Sequence, residues 1–408
     1  MKKLLLVVLA IFAFGLVACG RDSGSDEVPT IVLSRWAGDH ADVQNIVVRS
    51  FEGADIVIDD IDYHHLRERQ IRSMSVSAEY DLVWVAETWL PVFVENGWLL
   101  SLDDFIARDG VNMRDFSSSI VEINTIDGNL YAMPNFLQGL FLAYNSEWFA
   151  REGQSVPTTM DELLAVARHF REQGYGIAMP AMQGQASMDL FSTILYSAGG
   201  DYFDANGNLN LLSEEVLYAA YIYRRLVDYS MPGSTAWHHD QVAQSIRTEA
   251  APFGFMVSGL AGLNADPDVS LIVDTVGYAV IPGRNVVAGV VSTWSWAIPA
   301  NSENPEAAWE VLKWLTGAEA EREMALRIGH TSAYSGLAND PEVIEAVPFL
   351  PTLLAQMENG RTQPIDPAAA ELTDPFIAAL STIATTNTPP EQILEELQER
   401  FGHIRIGQ

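Results

Sequence analysis

The 408-residue chain has few of the residues that cross-link secreted proteins or bind nucleic acids. It contains one cysteine, Cys19, so intramolecular disulfides are excluded and stability must come from packing. Its 23 lysines and arginines face 54 aspartates and glutamates, which gives a formal net charge of −31. Such a surface repels nucleic acids and anionic lipids. We favour the interpretation that this charge serves solubility over the alternative that it selects the ligand.

Long apolar runs are also scarce, and the notable one lies at the amino terminus. The stretch from 4 to 17 is apolar and follows Lys2 and Lys3. It is shorter than the about 20 residues that a transmembrane helix needs. A basic start, a short apolar run and small residues before the cut are typical of a secretory signal peptide. We therefore predict a signal peptide over 1–18.

The segment that ends this run contains the only cysteine. Residues 16–19 read LVAC, a pattern that resembles a bacterial lipobox, in which the cysteine is lipidated and becomes the first mature residue. The polar segment GRDSGSDEVP follows at 20–29 and has the composition of a flexible linker. We predict a membrane anchor of fatty-acyl chains such as palmitate on Cys19 and a tether over 19–29. The alternative is an ordinary signal peptide with an incidental cysteine.

Predicted strands and helices alternate after the tether. Strand patterns begin at Ile31, at Ile56 and at Tyr80, with helical patterns between them, and this alternation indicates an α/β fold with a parallel sheet. Ligands of such sheets bind beyond the carboxyl ends of the strands. The candidate residues in those loops are Trp36 and Asp39 after the first strand, and Glu87 and Trp89 after the third. Helix-capping boxes are predicted at Thr159–Glu162 and at Thr316–Glu319.

A series of short motifs lies along roughly residues 30–380. In order they are WAGD (36–39), YDLVW (80–84), GNLYAMP (128–134), YN (144–145), PTTMDEL (157–163), GG (199–200), and AIP (297–299) followed by NPEAAW (304–309). This ordered series on a predicted lipoprotein resembles family 1 of the extracellular solute-binding proteins, the sugar receptors of ABC importers. No single motif of the series is specific.

The resemblance implies an α/β, two-lobed periplasmic binding protein-like fold of type II. A ligand cleft would lie between the lobes, and crossover hinges would join them. One lobe would comprise 30–134 plus 295–333, and the other 135–294 plus 334–408. The ligand would shift the hinge equilibrium towards closure by contacting both lobes.

A site for a neutral sugar needs flat aromatic platforms, carboxylates and amides. The tryptophans at predicted strand ends or crossovers are Trp36, Trp89, Trp294 and Trp296. For each of them core packing is an equally weighted alternative, and Trp84, Trp309 and Trp314 are expected in the core. The resemblance implies polar ligand contacts at Asp39, Glu87, Gln138 and Asp189, against the alternative of exposure without function. The chain departs from the family by lacking a tryptophan at 256–261 and at 364–376, which leaves the number of sugar units open.

Metal and cofactor sites are not expected. The pairs His64-His65 and His238-His239 suggest a metal site, but adjacent side chains diverge and rarely chelate together. The spacing of Asp204 to Asn210 imitates a calcium loop, yet Leu209 occupies the sixth position, where that loop needs glycine. We favour a β-turn there and predict no metal and no cofactor.

The sequence also disfavours catalysis. It has no Gly-x-Ser-x-Gly elbow, no His-Glu-x-x-His and no phosphate loop. A secreted glycoside hydrolase using Asp39 and Glu87 is the less favoured alternative. The prediction is a non-enzymatic lipoprotein, anchored outside the cytoplasm, that delivers a neutral sugar or oligosaccharide to ABC permease subunits as a monomer. The other alternative is a sensor or adhesion lipoprotein of the same fold, or a receptor for a non-sugar solute.

Overall fold

The computed structural model describes residues 28–37, 45, 47–116, 118–364 and 366–407. The predicted signal peptide, the lipidation site Cys19, most of the tether and the candidate ligand residue Asp39 lie outside these residues. Within the described ranges, no helix combines the length and the apolar character needed to cross a membrane.

The strands form two main sheets. They are β1 (Thr30–Trp36), β2 (Asp55–Ile61), β3 (Leu82–Ala86), β4 (Thr125–Ile126), β5 (Asn129–Leu130), β6 (Met133–Gln138), β7 (Leu140–Asn145), β8 (Phe253–Val257), β9 (Val276–Ala279) and β10 (Ser292–Ala297). In the described part of the chain, one sheet has the order β2-β1-β3-β10-β6 and another the order β8-β7-β9. Strands β4 and β5 pair separately.

The larger sheet combines parallel and antiparallel pairs. Strand β1 runs parallel to β2, with Trp36 opposite Ile61, and parallel to β3. Strand β10 inserts antiparallel between β3 and β6, with Trp296 opposite Trp84. In the smaller sheet β7 is antiparallel to both β8 and β9. The predicted parallel α/β core is therefore present, with two antiparallel strands added from later in the chain.

Helices cover both sheets. They are α1 (Tyr63–Arg72), α2 (Leu90–Glu95), α3 (Asp103–Asp109), α4 (Ser118–Ile123), α5 (Ser146–Arg151), α6 (Met160–Glu172), α7 (Gln185–Ser197), α8 (Glu214–Asp228), α9 (His239–Arg247), α10 (Ser258–Ala261), α11 (Pro305–Leu315), α12 (Ala318–Ile328), α13 (Pro341–Ala346), α14 (Leu350–Met357), α15 (Ala370–Thr385) and α16 (Pro390–Phe401).

One of the two predicted capping boxes forms. The Thr159 side chain accepts a hydrogen bond from the Glu162 N–H at 3.2 Å, and the Glu162 carboxylate accepts one from the Thr159 N–H at 3.2 Å. The box predicted at Thr316 does not form, because the Thr316 hydroxyl donates to the Leu312 carbonyl oxygen at 3.0 Å and Gly317 caps the next helix.

Each sheet has its own hydrophobic core. The larger sheet packs against α11, where Trp309 is fully buried, as the sequence predicted for it. The smaller sheet packs against α6, α7, α8 and α15. The predicted lobe boundaries at 134/135 and 294/295 cut through β6 and β10, but both strands belong entirely to the larger sheet. The crossings therefore lie at Gly139, before β7, and in the segment between β9 and β10.

Candidate functional site

A cavity of about 470 Å³ lies between the two sheets, and we call it the cleft. Residues at the carboxyl ends of β1 and β3, including Trp36 and Glu87, line one side. Asp189 on α7 and His239 on α9 line the other. Gln138 lies at the end of β6, beside the first crossing between the sheets. The arrangement follows the rule that ligands bind beyond the carboxyl ends of parallel strands.

The cleft has an aromatic wall formed by Trp36, Tyr63, Trp84 and Trp294, all of which line it. The Trp294 ring lies at its centre, 5.1 Å from the rings of both Trp36 and Trp84. Trp36 and Tyr63 meet edge to face at 6.1 Å. Such arrangements are the favoured ones for aromatic quadrupoles and hold the rings firmly in place. Trp84 was expected in the core, and although only 3% exposed it contributes to the cleft.

Two predicted platforms do not line the cleft in the described structure. Trp89 precedes α2, is partly exposed and packs edge-on against Trp294 at 5.2 Å. Trp296 stacks on Trp84 at 5.8 Å and is 4% exposed. It shares a strand face with Trp294 but lies two residues further from the cleft, opposite Trp84. Its prediction as a platform is corrected to a core residue that supports the wall.

Replacing Trp89 by alanine should weaken ligand binding only modestly, by at most about tenfold. Trp89 acts through its edge contact with Trp294, so its loss loosens one ring of the wall without removing a surface that faces the ligand. Titration calorimetry of the purified variant measures the change. A loss as large as that of a Trp36 variant would instead place Trp89 in direct ligand contact.

Glu87 is the most unusual ionisable group of the cleft, because this glutamate is only 5% exposed. Its Oε2 atom accepts hydrogen bonds from the Ser292 hydroxyl at 3.0 Å and from the Thr293 N–H at 3.1 Å. Burial raises the pKa of Glu87 from 4.5 to about 7, and the nearby Asp189 carboxylate raises it further, while these hydrogen bonds oppose the shift. Glu87 therefore holds its proton to a much higher pH than an ordinary glutamate does.

Asp189 is held by three side chains. Its Oδ1 accepts hydrogen bonds from the Gln185 amide at 2.9 Å and from the Gln363 amide at 3.0 Å. Its Oδ2 lies 3.5 Å from His239 Nε2. Burial lowers the pKa of His239, although Asp189 acts in the opposite direction, so the imidazole is neutral at neutral pH. Its buried Nδ1 has no hydrogen-bond partner within the described part of the chain.

The structure brings together several residues that sequence reasoning did not select. Beside the wall residues these are Asp62, His64, Gln185, His238, His239, Asp240 and Gln241. Three of the histidines belong to the two sequence pairs, which were the available signal. No group of three or more metal-ligating side chains occurs among the described residues. At the calcium-like segment, Asp204 Oδ1 accepts hydrogen bonds from the Asn206 and Asn208 N–H groups, as in a turn.

A larger cavity of about 870 Å³ lies elsewhere between the lobes. Its lining runs from Val111 to Arg114 on one side and includes Leu337 and Leu350 on the other, and it is mostly apolar. It shares only His330 with the cleft. Since it lacks the converging carboxylates and the aromatic wall, the cleft is the better candidate for a polar solute despite its smaller volume.

Residues 43–322 match the sequence profile of the bacterial extracellular solute-binding proteins. The chain belongs to this family. The resemblance found in the sequence motifs is thereby confirmed, and so is the two-lobed α/β fold, because solved solute-binding proteins superpose on this one closely. An ABC transporter solute-binding protein from Agrobacterium radiobacter K84, in complex with ribitol, is 25% identical with a TM-score of 0.82 over 92% of this chain and 98% of its own. One from Thermotoga lettingae, bound with α-D-tagatose, has a TM-score of 0.83 at 18% identity, covering 92% of this chain and 99% of its own.

Curated relatives of this solute-binding protein include receptors for different solutes. A probable amino-acid ABC transporter periplasmic-binding protein from Sinorhizobium fredii is 28% identical over 70% of this chain and 66% of its own length. A maltotriose-binding protein from Pyrococcus abyssi is 27% identical over 64% of this chain and 56% of its own. A mannitol-binding protein from Pseudomonas aeruginosa is 23% identical over 69% of this chain and 64% of its own length. The alignments thus span less than two thirds of the length of these three relatives.

Proposed function

We propose that this solute-binding protein captures a saccharide or polyol in the cleft and delivers it, unchanged, to the permease of an ABC importer. The observation that carries the proposal is the aromatic wall with the Glu87 and Asp189 carboxylates in a cavity of about 470 Å³. Sugars present apolar ring faces together with hydroxyl groups, and this combination offers partners for both. The volume lies in the range of small-molecule pockets.

Several relatives support a saccharide or polyol, whereas the Sinorhizobium protein is named for amino-acid transport. Proteins similar to this one bind maltotriose, mannitol and diacetylchitobiose by their names, and the Agrobacterium structure holds ribitol. We propose Trp36, Trp294, Glu87, Gln138 and Asp189 as ligand contacts. We also propose Asp39 as a ligand contact, because the sequence places it in the same loop as Trp36; it lies outside the residues that the structure describes.

We further propose that Cys19 carries a lipid and that the protein works as a tethered monomer outside the cytoplasm, at the outer face of the cytoplasmic membrane or in the periplasm. A tether of about ten residues would hold the receptor near its permease at a high effective concentration. Metabolic labelling with a fatty-acid analogue tests the anchor. We expect the wild-type protein to carry the label and the Cys19→Ser variant to carry none. A wild-type protein without label would exclude lipidation.

The ligand should raise the melting temperature of the protein without being consumed. By mass action, a ligand at 100 times its Kd stabilises the folded state by about 2.7 kcal/mol. A thermal-shift panel should contain mono- and oligosaccharides, polyols and amino acids, and chromatography should then recover the bound compound. Recovery of an altered compound would contradict a receptor, and stabilisation by amino acids alone would contradict the sugar assignment.

A further inference from the structure

The charged groups of the cleft share one sign. The described lining residues include four carboxylates, at Asp62, Glu87, Asp189 and Asp240, together with four histidines and no lysine or arginine. A neutral sugar needs no such bias, because hydroxyl groups both donate and accept hydrogen bonds. The bias concerns the cleft itself and is separate from the net charge of the whole chain.

Glu87 is the sharpest case, because it is buried and no lysine or arginine is among the described residues that line the cleft with it. Its hydrogen bonds among the described residues come from neutral donors, Ser292 and Thr293, and both go to the same oxygen. The other carboxylate that acts on it, Asp189, is of like charge. A buried carboxylate is costly unless it is paired with an opposite charge. A ligand that brings a positive charge would supply that pairing.

The neighbouring groups suit the same kind of ligand. Trp36, Trp84 and Trp294 line the cleft, and aromatic rings attract cations to their faces. Neutral His239 leaves Nδ1 without a hydrogen-bond partner among the described residues. If Nε2 carries the proton and faces Asp189, Nδ1 is an acceptor. The cleft is thus rich in acceptors and poor in positively charged donors.

We propose that the preferred solute carries a protonated amine, as an amino sugar does, and that its ammonium group binds at Glu87 beside the aromatic wall. This inference rests on the proposed function, because it specifies the kind of saccharide that the cleft takes. It excludes acidic sugars, whose carboxylate or phosphate groups would meet no cation there. It also predicts that the amino sugar binds more tightly than two neutral counterparts, the sugar with a hydroxyl group and the sugar with an acetamide group at the same position.

Matched sugars test the proposal by titration calorimetry at pH 7, where most of the amine is protonated. Glucosamine, galactosamine and mannosamine are compared with glucose, galactose and mannose. Chitobiose is compared with diacetylchitobiose and cellobiose, which share its linkage. We expect at least one amine to bind about tenfold or more tighter than its hydroxyl and acetamide counterparts, as a charge-assisted hydrogen bond allows. Salt at about 0.15 M screens the overall charge of the protein.

The Glu87→Gln variant keeps the side-chain shape and removes the charge. It should lower the affinity for the amine by about tenfold or more and that for the hydroxyl sugar by less than about threefold. Glu345→Gln is the matched control, because Glu345 is exposed and lies outside the cleft. Binding of the amine at pH 7 should also release protons, since the ammonium group favours the ionised form of Glu87. Repeating the titration in buffers of different ionisation enthalpy measures this release.

The outcomes separate the inference from the proposed function. Equal or tighter binding of the hydroxyl or acetamide sugars would overturn the preference for an amine and leave the saccharide receptor intact. The preference would also be overturned if Glu87→Gln lost as much affinity for the hydroxyl sugar as for the amine while its circular dichroism spectrum stayed unchanged. Binding of non-saccharide solutes alone would overturn both proposals.

Discussion

Replacing Trp36 by alanine is expected to weaken ligand binding by about 100-fold, equivalent to about 2.8 kcal/mol. Trp36 stands at the end of β1 and lines the cleft, and its ring contacts Trp294 at 5.1 Å and Trp84 at 5.5 Å. Alanine removes the stacking surface and opens the wall to water. Large aromatic side chains at the centre of a site commonly have effects of this size.

A matched substitution separates binding from folding. Trp314 is also partly buried, but it packs on Phe51 and does not line the cleft. Trp314→Ala should reduce the melting temperature about as much as Trp36→Ala and leave the ligand Kd within about twofold of wild type. Trp36→Phe, which keeps a smaller ring, should recover part of the affinity. If Trp36→Ala binds as well as the Trp314 variant, the aromatic wall is not the ligand platform.

The fold illustrates which features local sequence determines. Alternating strand and helix patterns predicted that the first three strands form a parallel sheet, because hydrophobic periodicity and short connections are local properties. The structure arranges them in the order β2-β1-β3. The insertion of β10 beside β3 was not predictable in this way. It depends on pairing between segments far apart in sequence, as with Glu87 and Ser292, which are 205 residues apart. The lobe boundaries shifted for the same reason, because β6 and β10 join the larger sheet as a pair.

The site shows the same limit. Trp36, Glu87, Gln138, Asp189 and Trp294 were selected from strand ends and from the family resemblance, and all line the cleft. Apart from the two histidine pairs, the missed residues carry no local signal of their function. Trp84 lies within an apolar strand pattern and was therefore assigned to the core. Gln363 orients Asp189 across 174 residues of sequence, and no pattern around it indicates a ligand site.

The Thr316 box shows how a local rule can fail. The sequence has a threonine with glutamate three residues later, yet the hydroxyl donates backwards to Leu312 within the preceding helix. Side chains of serine and threonine can accept a hydrogen bond from an N–H group at the start of a helix or donate one to a carbonyl oxygen one turn earlier. Here the Thr316 hydroxyl donates to the Leu312 carbonyl oxygen of α11. Tertiary placement of two consecutive helices, rather than local composition, decides between these alternatives.

Glu87→Gln is expected to change the pH dependence of stability by about 3 kcal/mol in the ligand-free protein. Burial raises the pKa of Glu87 from 4.5 to about 7, so between these pH values the folded state binds more protons than the unfolded state. The free energy of unfolding of the wild type must therefore fall as pH rises through this window. Glutamine does not titrate, and groups common to both proteins cancel in the difference. Below pH 4.5 the contribution of Glu87 to the free energy of unfolding is fully present, and above pH 7 it is lost.

Urea unfolding at pH 4, 6 and 8 measures the effect. The free energy of unfolding of Glu87→Gln minus that of the wild type should increase from pH 4 to pH 8. A constant difference for Glu87→Gln would mean that the carboxylate ionises normally in the folded protein. If the increase is found, the empty cleft holds a carboxylate that destabilises the protein at neutral pH. A structural role does not account for such a group, and a ligand that compensates its charge or satisfies its hydrogen bonds does.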